Sequence, residues 1–157
     1  MVASAISGGR LPKDPNGVYF VLTSADVNET SGFCTQYCGW HTSATVSGSN
    51  IKFSFVGNAD RCLSACAAQS TSPNGMPGAD AMASIIAHEL EESVTDPNLN
   101  AWYDNAGNEN ADKCAWTFGA TSAASNGSRY NVTLGGHQYL IQQNWVDAGS
   151  GGCAMKY

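Results

Sequence analysis

His88-Glu89-Leu90-Glu91-Glu92 is the stretch whose residue types and spacing can do chemistry. His88 and Glu92 are four apart, so on a helix they project from one face, one turn apart. The pattern is H-E-x-x-E. In H-E-x-x-H helices two histidines bind zinc and the intervening glutamate is the general base. Here Glu92 takes the place of the second histidine, and a carboxylate is also a zinc ligand. The spacing therefore assigns His88 and Glu92 as metal ligands and Glu89 as base, against the competing reading of an ordinary solvated acidic face. A zinc centre needs about three protein ligands and an open position. Glu109 and Asp112 follow Glu92 by 17 and 20 residues. One is expected as the third ligand, with the other orienting a ligand from behind. His41 is the alternative ligand from the N-terminal half, whereas His137 reads as a strand surface residue. Asp104, Asn105, Asn108 and Glu109 offer hard oxygen atoms for calcium, but their spacing does not match an EF-hand loop. Zinc is the expected cofactor.

Those residues need a helix to carry them. Asp80, after Pro77 and Gly78, can cap its first N–H groups, and Pro97 stops it. Met82, Ile85, Ile86, Leu90 and Val94 form an apolar stripe at helical spacing. The His88–Glu92 face lies roughly opposite, beside the small residues Ala81, Ser84 and Thr95. That arrangement predicts a buried stripe and an open ligand face. Val2 to Ile6 reads as the end of a helix closed by Gly8-Gly9. Val18 to Thr23 is continuous and β-branched or aromatic, which predicts a buried central strand. Ile51 to Gly57 alternates as a paired strand, with Thr45 to Asn50 supplying its hairpin partner or turn. His137 to Trp145 reads as one late strand. No repeat or linker divides the chain, so residues 1–157 are read as a single domain of the α+β class.

Composition narrows the setting. A formal net charge of -6, with only 13% of residues charged, offers no basic patch for a phosphate backbone, so nucleic acid is excluded as a partner. No apolar run is long enough to span a bilayer. Six cysteines in a chain rich in Gly, Ser, Thr and Asn suggest an oxidising compartment. Cys34 and Cys38 share the spacing of Cys62 and Cys66. The simplest clips are Cys34–Cys66 with Cys38–Cys62, or the parallel alternative, leaving Cys114 with Cys153. A thiolate metal site is the rival, but zinc sites usually space cysteines more tightly. Sequons at Asn28, Asn126 and Asn131 fit a secreted, glycosylated surface. The N-terminus shows no signal peptide, so the chain reads as starting after one, or with N-terminal sequence missing.

A run of motifs in order resembles the phosphate-induced protein 1 / EXORDIUM family. They are Pro15 to Val27, Phe33-Cys34 with Cys38-Gly39-Trp40-His41, Phe55 to Asn58, and Ile86 to Leu90 with Glu92. Thr95-Asp96-Pro97, Asn100 to Asp104, Glu109-x-Ala111-Asp112-x-Cys114 and Leu140 to Trp145 complete the set. The resemblance implies secretion to the extracellular space or cell wall, and a longer precursor with an N-terminal strand–helix region absent from this chain. It also implies that the positions of His41, His88, Glu89, Glu92, Glu109 and Asp112 are kept, and that His137 falls where a basic residue is usual. The expected fold is a zincin-like α+β domain, with a small mixed or antiparallel sheet packed on the central H-E-x-x-E helix and clipped by disulfides. Two functions follow. One is a secreted zinc metallohydrolase, peptidase-like, with Glu89 taking a proton from water. The other is a non-catalytic extracellular protein that binds glycans or self-assembles in a matrix, with a structural metal and Trp40, Trp102 and Tyr103 exposed. The expected partner is an extracellular peptide or glycan.

Overall fold

The computed structural model describes residues 1–156. A short helix α1 (Val2–Ser7) precedes strand β1 (Val18–Leu22) and the hairpin β2 (Gly39–Val46) and β3 (Ser49–Val56). A 3-10 turn (Ala59–Arg61), the short helix α2 (Leu63–Cys66) and the long helix α3 (Pro77–Thr95) follow. A second 3-10 turn (Asp112–Cys114) leads to short strands β4 (Ser122–Ala123), β5 (Arg129–Tyr130), β6 (Val132–Leu134), β7 (His137–Tyr139), β8 (Asn144–Val146) and β9 (Gly152–Ala154). The α+β class with small sheets and three disulfides is as the sequence predicts.

The main sheet is mixed and has the order β1-β3-β2, with β1 parallel and β2 antiparallel to β3. The β2–β3 turn is tight because Ser47 and Gly48 both take positive φ, 48° and 79°; a two-residue hairpin loop of this kind matches the strand twist. β3 is the central strand, and its Ile51 and Val56 are fully buried. β1 lies at the edge and is only half-buried, contrary to the expectation from its apolar run. Its Leu22 is exposed.

The pleat divides the sheet into two faces. Ile51 and Phe53, with Tyr19 and Val21 beside them, pack on Val2 and Ile6 of α1. On the other face, Val56 and Phe20 pack on Met82 and Ile85 of α3. The register puts His41 opposite Ser54 and Gly39 opposite Val56, so both lie on the α3 face.

Helix α3 starts three residues before Asp80. Pro77 takes the first helical position, where its missing N–H costs nothing. The Gly78 N–H donates to Asp60 Oδ1 at 2.9 Å. Asp80 is buried and accepts from the Asn74 backbone and side chain instead, so it is not the N-cap. The helix ends at Thr95, before Pro97, as predicted. The apolar stripe is only half right. Met82 and Ile85 are buried, but Leu90 and Val94 are exposed, while Glu89 and Glu92 are buried. The first half of α3 packs on the sheet; its second half turns the carboxylate side inward, under a later segment of chain.

Two disulfides clip the segment before β2 to α2. The pairs are Cys34–Cys62 and Cys38–Cys66, which corrects the preferred crossed pairing in favour of the parallel alternative. With Cys34 facing Cys62 and Cys38 facing Cys66, segment 62–66 runs alongside 34–38 in the same sense. Cys114–Cys153 forms as expected. The late strand is broken: β7 ends at Tyr139, β8 begins at Asn144, and residues 140–143 loop inward. Trp40 is half-buried and stacks on Phe55, not the exposed residue expected.

Among the sequons, Asn28 is exposed. Asn126 is exposed but its amide donates to Ser72 O and accepts from Ser128. Asn131 is half-buried and its Nδ2 donates to both Phe118 O and Ile141 O, at 2.8 and 2.7 Å. A glycan bond at Asn131 would remove one of those donors. No helix among the described residues is long and apolar enough to cross a membrane.

Candidate metal centre

The site forms where α3 meets β2. Gly39 makes the approach possible: a Cβ there would lie 2.7 Å from Glu89 Oε1 and 2.9 Å from Phe55 O. Two residues on, the same face of β2 presents His41. Above α3 runs the segment 104–115. Asp104 closes its first turn by accepting from the N–H groups of Ala106 and Asn108. Asn110 Oδ1 accepts the Trp145 N–H of β8 at 2.8 Å, and Cys114 is tied to Cys153. The segment is therefore pinned from two sides, and Glu109 and Asp112 point down onto the helix.

Five side chains meet there. His88 Nε2 lies 3.0 Å from Glu92 Oε1 and 3.4 Å from Asp112 Oδ1. His41 Nε2 lies 3.2 Å from Glu109 Oε2 and 3.8 Å from Glu92 Oε2. The donors fall into two groups, His88–Glu92–Asp112 and His41–Glu92–Glu109, each with its ligand atoms within 4.8 Å of one another. The structure thus brings together His41, His88, Glu92, Glu109 and Asp112, including both carboxylates between which the sequence left a choice. Asp104 belongs to neither group and is occupied with its own loop. His137 is exposed, next to Asn74.

The surroundings fix how these donors point. The Asp112 N–H donates to Glu92 Oε1 at 3.2 Å, and the Glu109 N–H donates to Asp112 Oδ2 at 3.2 Å, which leaves Asp112 Oδ1 for His88. Gln142 is buried in the 140–143 loop. Its Nε2 donates to Ala111 O at 3.1 Å, so its Oε1 is left to accept from His88 Nδ1–H at 3.2 Å. A histidine held through Nδ1 presents Nε2 to the cluster. Sequence reasoning missed Gln142, because it read 137–145 as a single strand; nothing in the spacing marks a glutamine as a histidine anchor.

Charge is concentrated, with His41, Glu89 and Glu92 buried and Asp112 exposed. Burial by itself would lower the His88 pKa. The Asp112 and Glu92 carboxylates, accepting from its ring, override that and push it up to about 11. The same bond holds the Asp112 carboxyl below the usual range. Burial raises Glu109, against the hydrogen bond from His41. Glu89 is only 3% exposed and its Oε2 has no partner. Burial pushes its carboxyl up to about 8, with His88 opposing and Glu92, Asp112 and Glu109 adding to the rise. Glu89 and His88 line a cleft of about 320 Å³, together with Asp112, Gln142, Tyr37 and Trp116.

Histidine nitrogens and carboxylate oxygens at this spacing could hold a divalent cation, and the buried Glu89 oxygen without a partner fits such a site.

Residues 1–155 match the family model described as the phosphate-induced protein 1 conserved region. Protein EXORDIUM-like 3 of Arabidopsis thaliana is 35% identical over 164 residues, covering 86% of this chain and 48% of that protein. Protein EXORDIUM-like 5 of the same plant is 32% identical over 177 residues, covering 92% and 48%. Protein EXORDIUM-like 2 is 31% identical over 159 residues, covering 80% and 51%. The chain spans about half the length of these relatives. No solved structure matches it, so the zincin-like layout expected from the sequence has no structural relative behind it. With a family model covering nearly all of its length, the chain belongs to the phosphate-induced protein 1, or EXORDIUM-like, family.

Proposed function

We propose that this protein is a secreted zinc metallohydrolase with a zincin-like arrangement, acting on peptide bonds. The carrying observation is the buried Glu89 carboxyl, whose Oε2 has no partner, on a residue that lines one cleft with His88 and Asp112. The chain order also supports it: a mixed sheet, then the helix with His88 and Glu92, then the segment with Asp112. Three disulfides and EXORDIUM-like relatives support secretion.

Zinc held by His88, Glu92 and Asp112 would polarise a scissile carbonyl and acidify a water. The protein's own part is proton handling and placement. Glu89, with its carboxyl near neutrality, takes a proton from the attacking water and returns it to the leaving amine. Gln142 keeps His88 Nε2 aimed at the group. Trp116, half exposed with a φ of 60°, forms one wall of the cleft for a substrate side chain. A second reading, a non-catalytic glycan binder with a structural metal, draws on the exposed Trp102 and Tyr103.

The test is elemental analysis of protein purified without chelator, followed by turnover of a peptide library. Tightly bound zinc with chelator-sensitive cleavage is expected. Protein without bound metal would sink the hydrolase, whereas bound zinc without turnover of any peptide would favour the binding reading. Gln142→Leu keeps the volume but removes the acceptor for Nδ1–H. It is expected to weaken zinc binding by roughly 10–100-fold, as losses behind a ligating histidine do. An unchanged zinc affinity in a competition titration would show that Gln142 does not position His88.

A further inference from the structure

We propose that the cluster holds two divalent cations side by side, bridged by the Glu92 carboxylate. One sits on His88, Glu92 and Asp112; the other sits on His41, Glu92 and Glu109. The first is the ion of the function proposed above, and the inference rests on that reading. The second is new.

Three observations carry it. The first is geometric. The two Glu92 oxygens serve different groups: Oε1 faces His88 at 3.0 Å, and Oε2 faces His41 at 3.8 Å. His88–Asp112 at 3.4 Å and His41–Glu109 at 3.2 Å are the second edges, and the third edge of each group lies within 4.8 Å. Donors about 2.0–2.2 Å from a tetrahedral zinc are roughly 3.3–3.6 Å from one another, and the contacts in the two groups, 3.0–3.8 Å, bracket that spacing. Glu92 is the only residue common to both. A carboxylate shared through opposite oxygens is how paired sites hold two ions roughly 3.5–4 Å apart.

The second observation is charge. Glu89, Glu92, Glu109 and Asp112 bring four carboxyl groups to one cavity of about 190 Å³, which His41 and His88 also line. Among the described residues, every ion pair within 4.0 Å of these carboxylates comes from a histidine and none from Lys or Arg. One dication leaves such a set with excess negative charge beside the buried Glu92. Two dications balance four carboxylates, with the histidines neutral as ligands.

The third is that a polar group is left without a partner. Glu89 is 97% buried by its 3% exposure, lines this cavity, and its Oε2 accepts no hydrogen bond. Such a group points to a species between the walls that the protein's own atoms do not provide.

The experiment is metal stoichiometry of the full chain. Protein stripped with chelator is titrated with zinc, and separately with cobalt, followed by calorimetry and by elemental analysis after dialysis. Two equivalents are expected. The second equivalent of cobalt should diminish the paramagnetic resonance of the first, as adjacent ions couple. Glu109→Gln, at the outer side of the second group, should bind one equivalent with an unchanged far-ultraviolet circular dichroism spectrum. Asp112→Asn should also bind one equivalent. A single equivalent in the native protein overturns the two-cation proposal and leaves the single-zinc reading standing. Zero equivalents overturn both. Two equivalents that persist in Glu109→Gln place the second ion elsewhere and overturn the assignment.

Discussion

Glu89→Gln is expected to keep its metal and its fold and to lose peptide hydrolysis by ~10²-fold or more, the usual scale for losing a general base. His88→Ala is expected to do the reverse and release the metal. The difference rests on geometry. His88 Nε2 faces Glu92 and Asp112 at 3.0 and 3.4 Å, inside a donor group. Glu89 is one residue on and about 100° further round the helix, belongs to neither donor group, and turns toward Gly39. Glutamine matches glutamate in size and fits the same space beside Gly39, yet it cannot accept the proton. Metal content by elemental analysis and cleavage of a fluorogenic peptide separate the two roles. Metal loss in Glu89→Gln would make Glu89 a ligand. Retained metal in His88→Ala would move the centre off this helix.

The sequence marked the residues that meet at this site better than the architecture that brings them together. H-E-x-x-E marks His88, Glu89 and Glu92 because helical spacing is local, and a four-residue offset means the same thing in any fold. Glu109 and Asp112 were legible as candidates because a carboxylate pair follows the helix within reach. Which histidine each one faces was not, since that depends on how Asn110 and Cys114 pin the segment to β8 and β9. His41 depends on strand register: opposite Ser54 it points to α3, and a slip of one residue would turn it to the α1 face. The helix start was misplaced because Asp60, 18 residues away, caps Gly78. The buried stripe was misjudged at Leu90 and Val94 for a related reason. Periodicity finds an apolar face, but here the second half of α3 is covered by a polar loop that satisfies Glu92 from above. Gln142 was illegible because its role arises from a break between β7 and β8 that no apolar pattern signals.

The metal-free protein is expected to lose stability as pH rises from about 5 to about 8. In the fold the Glu89 carboxyl is pushed up to about 8 from its ordinary 4.5, chiefly by burial. A raised pKa means the folded state binds the proton more tightly than the unfolded chain. Its stabilising effect is complete below about 4.5 and is lost as pH rises through about 8. His88 adds to the same direction at higher pH: its contribution is complete below 6.5 and is lost as pH rises through about 11. Asp112 acts oppositely and only in acid, where its lowered pKa makes protonation costly to the fold. The metal-free protein should therefore be most stable near pH 4.5–5, and the Glu89 limb amounts to on the order of 2–4 kcal/mol. Urea unfolding at intervals from pH 4 to 9, with chelator present and disulfides intact, reads it directly. Glu89→Gln should flatten the profile between about pH 5 and 6.5 and leave the His88 limb above it. A native protein whose stability is flat or rising between pH 5 and 8 would contradict the burial of a protonated Glu89. Loading with zinc should reverse the slope, because the cation replaces the proton on His88 and draws the carboxylates into their charged form. The gap between loaded and metal-free stability should widen as pH rises toward 8, and a gap independent of pH would place the metal away from these titrating groups.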